Sequence, residues 1–318
     1  MQNQFLRFLL WRMVQFLPVV AMATLTIFSL IQLVPGDPAA TIAGEYATAE
    51  NIEAIRHSLG LDRPLWEQYG IWLWNAAQGD LSNSLLSGLP VMDEVLRRLP
   101  STLTIAVLAL CIAVIVGVPL GVLAATRADT MLDRLVTGIA SLGVAVPNFW
   151  LGMILVSIFA LGFGWFPTTG ARPISEDFWG ALHHAALPAA TLATGGIAEI
   201  ARQLRSSLIE VLQSQYVRTL RAKGLPNYLI LWKHGLRNAA LTLLTVIGLV
   251  FNHMLGATVA TEAVFAISGT GSMIVNAAIN KDFPVVQGAV FVLVLIVIVM
   301  NLIIDLFYSL LDPRVKKG

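Results

Sequence analysis

Apolar residues fall into six long runs, at 11–34, 101–125, 135–165, 185–206, 239–263 and 285–311. Each is long enough to cross a bilayer, which takes roughly 17–25 mostly apolar residues. The third run is overlong and carries Pro147, so a kink or a tilted, two-part helix is expected there. Pro188 suits the first turn of the fourth. The pattern predicts an all-α integral membrane protein with six transmembrane helices, organised as a single domain over residues 1–318.

One polar interval is long enough for structure of its own. Over residues 35–100, Pro35, Gly36, Asp37 and Pro38 close the first run. Ile52, Ile55 and Leu59 then follow helical spacing up to Gly60, and Asp62 with Pro64 opens a second helix that ends near Gly79. This second helix bears Trp66, Tyr69, Trp72 and Trp74, which suit a membrane interface or packing on the bundle.

Charge placement sets the expected orientation. With the N-terminus inside, fourteen of the 20 Lys and Arg residues lie on inner segments. The other six, Arg56, Arg63, Arg97, Arg98, Arg172 and Lys281, lie on outer ones. Both termini are therefore expected inside, with segment 35–100 outside. Arg97 and Arg98 run against the rule, in a loop longer than the roughly 60 residues over which it works well.

Composition agrees, at 57% hydrophobic and 12% charged, with a mean hydropathy of +0.76. Soluble domains hold roughly 45–50% apolar residues. The net charge of +1 gives no support to nucleic-acid binding. The single cysteine, Cys111, cannot form an internal disulfide and is expected to be a small buried hydrophobe. The run behind Arg7 and Arg12 resembles a secretion signal, but at about 22 residues it exceeds the hydrophobic core of one and is read as an uncleaved first span.

Between the fourth and fifth runs lies a polar island at 215–239, with five basic residues and no acid. Ser214 is placed to cap a short helix. Val217 and Leu220 share one face as an apolar ridge for a partner's groove, and Arg218, Arg221 and Lys223 sit near the C-terminal end, where the helix dipole favours cations. Gly224 ends the helix and Pro226 prevents its continuation. The expected product is a rigid basic docking helix with no catalytic group.

These residues carry a resemblance. Y-V-R-T-L-R-A-K-G at 216–224, followed by K-H-G-L-R-N-A at 233–239, is similar to the cytoplasmic loop of permease subunits of binding-protein-dependent ATP-binding-cassette importers. The general pattern there is E-A-A, three residues, Gly, nine residues, then I-x-L-P. Gly224 and Leu236 match it; Arg218, Thr219 and Leu220 stand at E-A-A, and Arg237 at the proline. The R-T-x-R-A-K-G form resembles the peptide, glutathione and nickel branch, the dipeptide permease B type. Segments at 35–39, 59–65, 78–81 and 161–167 resemble that branch in the same order, and Ser268-Gly269-Thr270-Gly271 departs from its P-G-L-G.

The resemblance implies a type I importer permease fold in a bacterial inner (plasma) membrane. It implies a coupling loop over 207–238 in which Tyr216, Val217, Arg218, Thr219, Leu220, Arg221, Ala222, Lys223 and Gly224 engage an ATPase. The implied partners are a second, homologous permease in a heterodimer, two ATPase subunits, a periplasmic or lipid-anchored solute-binding protein, and membrane lipid. No cofactor is expected in this chain, which lacks a phosphate-binding G-x-x-x-x-G-K-[ST] loop; ATP and Mg belong to the ATPase subunits.

Carboxylates and amides within apolar runs are candidates for a translocation path. Pro147, Asn148, Asn252 and Glu262 are assigned to it, with Glu262 expected where water reaches it. Glu199 is expected to pair with Arg202 three residues on. A rival reading is an ion-coupled carrier in which Glu199 or Glu262 binds the coupling proton. His183 and His184, adjacent in sequence and far from other ligand types, are expected as a surface pair. Gly143, Gly152, Gly195, Gly196 and Gly248 are expected to permit close helix packing.

Overall fold

The computed structural model describes residues 2–33, 38–43, 47–58 and 60–311. Pro35, Gly36, Asp37, Leu59, Arg314, Lys316 and Lys317, which entered the sequence reading, lie outside the described residues. Among the described residues the chain is helical, with a single isolated bridge between Asn83 and Pro90.

In chain order the helices are α1 (Gln2–Leu33), α2 (Pro38–Ala43), α3 (Ala49–Ser58), α4 (Leu65–Ala77), α5 (Val91–Thr126), α6 (Met131–Ala145) and α7 (Asn148–Leu155). They continue with α8 (Phe178–Gln213), α9 (Gln215–Ala222), α10 (Asn227–Leu229), α11 (Leu236–Val264), α12 (Thr270–Ile279) and α13 (Phe283–Leu311). Wider π-helical turns extend α7 over Val156–Gly162 and join α10 to α11 over Ile230–Gly235.

Among the described residues, three helical stretches are long and apolar enough to cross a membrane: Val91–Thr126, Asn227–Val264 and Phe283–Tyr308. The third apolar run becomes a fourth such stretch with a sharp break, α6 and α7 meeting at 99°. Val146 caps α6 in an extended conformation, and Pro147, which has no amide hydrogen to donate, precedes α7. The first and fourth runs lie in α1 and α8; α8 is the more polar of the two, carrying His183, His184, Glu199, Arg202 and Arg205. Pro38, expected only as a stop, opens α2, a position where its fixed φ costs nothing.

The contacts divide the chain into two compact units, residues 1–100 with 268–299 and residues 101–267 with 300–318. In the first unit α3 and α4 form as the outer-segment reading expects, and Gly60 adopts a φ of +65° after α3. The α4 aromatics divide in two. Tyr69 and Trp72 pack against Phe28 and Phe291, with Trp72 edge-on to Phe291 at 5.8 Å, while Trp66 and Trp74 stay exposed. Asp282, buried, pins the turn before α5 by accepting from Ser84 Oγ at 2.5 Å and the Leu85 amide at 3.1 Å. Arg97 and Arg98, the charges that ran against the inside rule, both pair with Glu94.

The core of the second unit gathers on the small-residue face of α8: Ala185, Ala189, Leu192, Ala193 and Ile200 pack with Ile105, Ala109 and Ala113 of α5 and with Val246, Val250 and Met254 of α11. Gly117 and Gly121, four residues apart, permit this approach. A Cβ added at Gly121 would meet the Ala201 carbonyl oxygen at 2.9 Å, and one at Gly117 would meet the Ile197 carbonyl oxygen at 3.0 Å. Such small-residue spacing brings membrane helices into backbone contact. Of the five glycines expected to pack closely, Gly143, Gly152, Gly196 and Gly248 have neighbours at contact distance, whereas Gly195 faces open space. Cys111 is exposed, contrary to the expectation of burial, because it lies on the face of α5 away from α8.

Asp177 caps α8, its carboxylate accepting from the Gly180 amide at 2.8 Å and from Arg172 at 3.0 Å. The amide first and the guanidinium second hold this carboxyl below its usual range. Its contribution to stability is therefore present above the ordinary carboxylate pKa and lost as pH falls through the lowered one.

Replacing Gly121 with Val is expected to cost about 1–3 kcal/mol through overpacking against α8. Gly138→Ala, where an added Cβ meets nothing within 4 Å, is expected to be neutral or stabilising. Thermal unfolding of the purified protein in detergent separates the two.

Candidate functional site

The basic segment is built as a capped, internally braced helix. Ser214 leaves α8 in an extended conformation (ψ 155°), and its Oγ accepts from the Val217 amide at 3.4 Å, which starts α9. Gly224 ends the turn at a φ of +78°, a conformation that favours glycine, and Pro226 stands at the N-cap of α10. Tyr216 Oη lies 2.7 Å from His234 Nδ1, joining α9 to the π-helical turn that leads into α11.

The structure corrects one expectation about this helix. Val217 is not part of an outward ridge: it is fully buried within this chain, and Leu220 is half-buried. Val217 serves as the anchor that seats α9. Tyr216, Arg218, Thr219, Arg221, Ala222, Lys223 and Gly224 remain exposed. Arg218 and Arg221 also line a cavity of about 610 Å³ with Tyr228, Trp232 and Gln213. The outward surface is thus cationic and aromatic, beside a concavity and on a rigid mount.

A second cavity, about 510 Å³, opens beside the broken helix. Pro147 and Asn148 line it together with Glu199, Gly195, Gly196 and His253. The other two path candidates are elsewhere. Asn252 donates from Nδ2 to Asn301 Oδ1 at 3.3 Å, and its own Oδ1 is buried without a partner. Glu262, expected to be reached by water, is fully buried and accepts from Thr102 Oγ1 at 2.6 Å. The reason is that Thr102 on α5 lies opposite this end of α11, a neighbour that hydropathy along one helix does not reveal. Glu199 does pair with Arg202, and it also accepts from Gln203 Nε2 at 3.0 Å. His183 is exposed and bonds the Trp165 carbonyl oxygen at 2.8 Å, while His184, part-buried, bonds that of Gly180 at 2.9 Å.

Sequence reasoning missed a buried ion pair. Arg205 grips Asp133 with both arms, Nε to Oδ1 at 2.5 Å and a terminal nitrogen to Oδ2 at 2.6 Å. A charged residue just before the third apolar run and another within the fourth gave the available signal, but their 72-residue separation hid the pairing. The G-V-P-L-G spacing at 117–121 was also legible and was not used.

Comparison with known proteins settles the family. Residues 117–317 match the model of the binding-protein-dependent transport system inner membrane component, and residues 5–106 match the N-terminal model for the membrane component of such systems. The chain is a binding-protein-dependent transport permease. A putative peptide transport system permease protein of Brucella abortus (strain 2308) is 41% identical to it over 308 residues, covering 97% of this chain and 98% of the relative. A dipeptide transport system permease protein of Alkalihalophilus pseudofirmus is 38% identical over 325 residues, with 96% and 98% covered. A glutathione transport system permease protein of Escherichia coli O6:H1 is 37% identical over 311 residues, with 98% and 99% covered. Among solved structures, an inward-facing MetNI methionine ABC transporter matches the fold, with a TM-score of 0.55 at 20% identity, over 70% of this chain and 97% of that one.

The permease is the membrane component of an ATP-driven importer and not itself an enzyme. The ion-coupled carrier is set aside by that membership, and both of its candidate proton sites are engaged inside the chain, Glu199 by Arg202 and Glu262 by Thr102.

The mount of α9 makes a stability prediction. Val217→Ala is expected to cost about 1.5 kcal/mol from the two buried methyl groups it removes, and Ser214→Ala about 1 kcal/mol from the lost cap. Arg218→Ala, on the exposed face, is expected to stay within about 0.5 kcal/mol. Unfolding of the three variants in detergent checks the order.

Proposed function

We propose that this chain forms one half of the membrane pore of an importer for short peptides or similar small polar solutes in the bacterial inner membrane. It spans the membrane six times with both termini inside. Its second half is a homologous permease, giving a heterodimer. Two ATPase subunits, which hold ATP and Mg, dock on the side that bears α9, and an external solute-binding protein, periplasmic or lipid-anchored, delivers the solute. The names of the relatives support the solute class.

The observation that carries the coupling role is the build of α9. Its cap at Ser214, its buried Val217 and its Tyr216–His234 contact fix it to α8 and to the start of α11, while Arg218, Arg221 and Lys223 remain outside on its free surface. A helix held this way transmits a push from an ATPase to two long helices as a rigid-body movement. The cavity beside Pro147 and Asn148 supports a place for the path, lying where α6 and α7 break apart.

Reconstituting the permease with its partner subunits in vesicles tests the reading, with dipeptides, longer oligopeptides, glutathione, opine-like conjugates and nickel offered as solutes. ATP-dependent uptake of a peptide is expected. Arg218→Glu is expected to release the ATPase, or to leave it turning over ATP without uptake, with the helices still folded. Gly224→Pro forces a φ of about −65° on a residue that needs +78° and is expected to do the same. Unchanged assembly and uptake in Gly224→Pro would remove α9 from the mechanism.

A further inference from the structure

We infer that the Asp133–Arg205 ion pair is a positioning element that makes α6, and through the break at Pro147 the wall of the α7 cavity, follow the α9 end of α8. The inference rests on the coupling role proposed for α9.

Small side chains line much of the seam between α6 and α8, beside Val136, Thr137 and Arg202. Ala140 and Ser141 of α6 face Ala198 and Ala201 of α8, and an added Cβ at Gly143 would touch the Thr194 carbonyl oxygen at 3.3 Å and Ala198 at 3.7 Å. Small residues make a smooth surface, along which packed helices can shear. One directional feature opposes sliding: among the described residues the two hydrogen bonds from Arg205 to Asp133 are the only ones joining these helices. Asp133 is fastened to its own helix start as well, accepting from the Asp129 amide at 2.9 Å and from Thr137 Oγ1 at 3.4 Å. Its side chain is 4% exposed.

The location of the tie along α8 gives it a function. Arg205 lies nine residues before Ser214, the joint to α9, and six residues after Glu199, which lines the α7 cavity. The other close neighbours of α8 are held by shape: Gly117 and Gly121 of α5 press on the backbone carbonyl oxygens of Ile197 and Ala201, and Gly196 of α8 admits Val250 and Met254 of α11. A displacement that enters α8 from α9 is therefore resisted sterically at α5 and α11, and reaches α6 through a directional, two-pronged bond. Buried ion pairs are poor sources of stability, since well-packed apolar replacements are often neutral or stabilising. What the pair supplies is a fixed register between two helices that would otherwise slip.

The test uses the assembled transporter, reading ATP hydrolysis and solute uptake on the same vesicles. Asp133→Asn and Arg205→Lys, which spoil the fork without emptying the site, are expected to raise the ATP consumed per solute moved by about tenfold, the scale of a typical coupling between sites, with the ATPase subunits still attached. The exchanged pair Asp133→Arg with Arg205→Asp is expected to recover part of that ratio. The decisive variant is Asp133→Leu with Arg205→Met, which keeps a filled, uncharged seam: it is expected to assemble and remain as stable as the parent, yet to hydrolyse ATP without proportionate uptake. Wild-type ATP-to-solute ratios in that apolar variant, or a parallel fall of hydrolysis and uptake in all variants, would reduce the pair to a structural strut. Failure of the α9 reading looks different, because then Arg218→Glu and Gly224→Pro also leave the ATPase attached and the ratio unmoved.

Discussion

Close approach of helix backbones governs the second unit. Gly117, Gly121 and Gly196 remove the side chains that would otherwise hold α5 and α11 away from α8, and the alanines of α8 extend that thin interface along its length. Within a bilayer there is no hydrophobic gain from joining two apolar helices, so contact area and shape must hold them together. The consequence is that α8, although it carries Glu199, Arg202 and Arg205, sits at the centre of its unit. Its polar residues are absorbed locally, Glu199 by Arg202 and Gln203 and Arg205 by Asp133.

Much of the local structure was legible because it depends on short-range chemistry. Ser214, Gly224 and Pro226 mark the ends of α9 through capping and backbone preference, and they lie where those preferences put them. The same holds for the pair of short helices α3 and α4 and for a discontinuity at Pro147. What a linear reading could not supply was which way a side chain faces once a neighbour from a distant part of the chain arrives. Val217 turned inward because the walls of α8 and the π-helical turn lie beneath it; Glu262 met Thr102, 160 residues away. Cys111 turned outward because the packed face of α5 was taken by alanines and glycines. The size of the bend at Pro147 was equally hidden, since proline dictates that a helix is interrupted and not by what angle.

The cavity beside α9 and the cavity beside α7 stand in different chemical surroundings. One is bordered by Arg218, Arg221, Tyr228 and Trp232, a mixture suited to a protein surface with acidic and apolar groups. The other is mainly aliphatic and glycine-lined, with Asn148, Glu199 and His253 as its few polar groups. Between them runs one unbroken helix, α8, which contributes residues to both.

The outward-facing thiol of α5 has a practical consequence. Because Cys111 is the only cysteine in 318 residues and stands clear of the packed core, any thiol-directed dye that reaches it marks the unaltered chain at one defined point. Its emission then reports whether lipid or a neighbouring subunit covers the middle of that helix, without any engineered mutation to disturb the assembly.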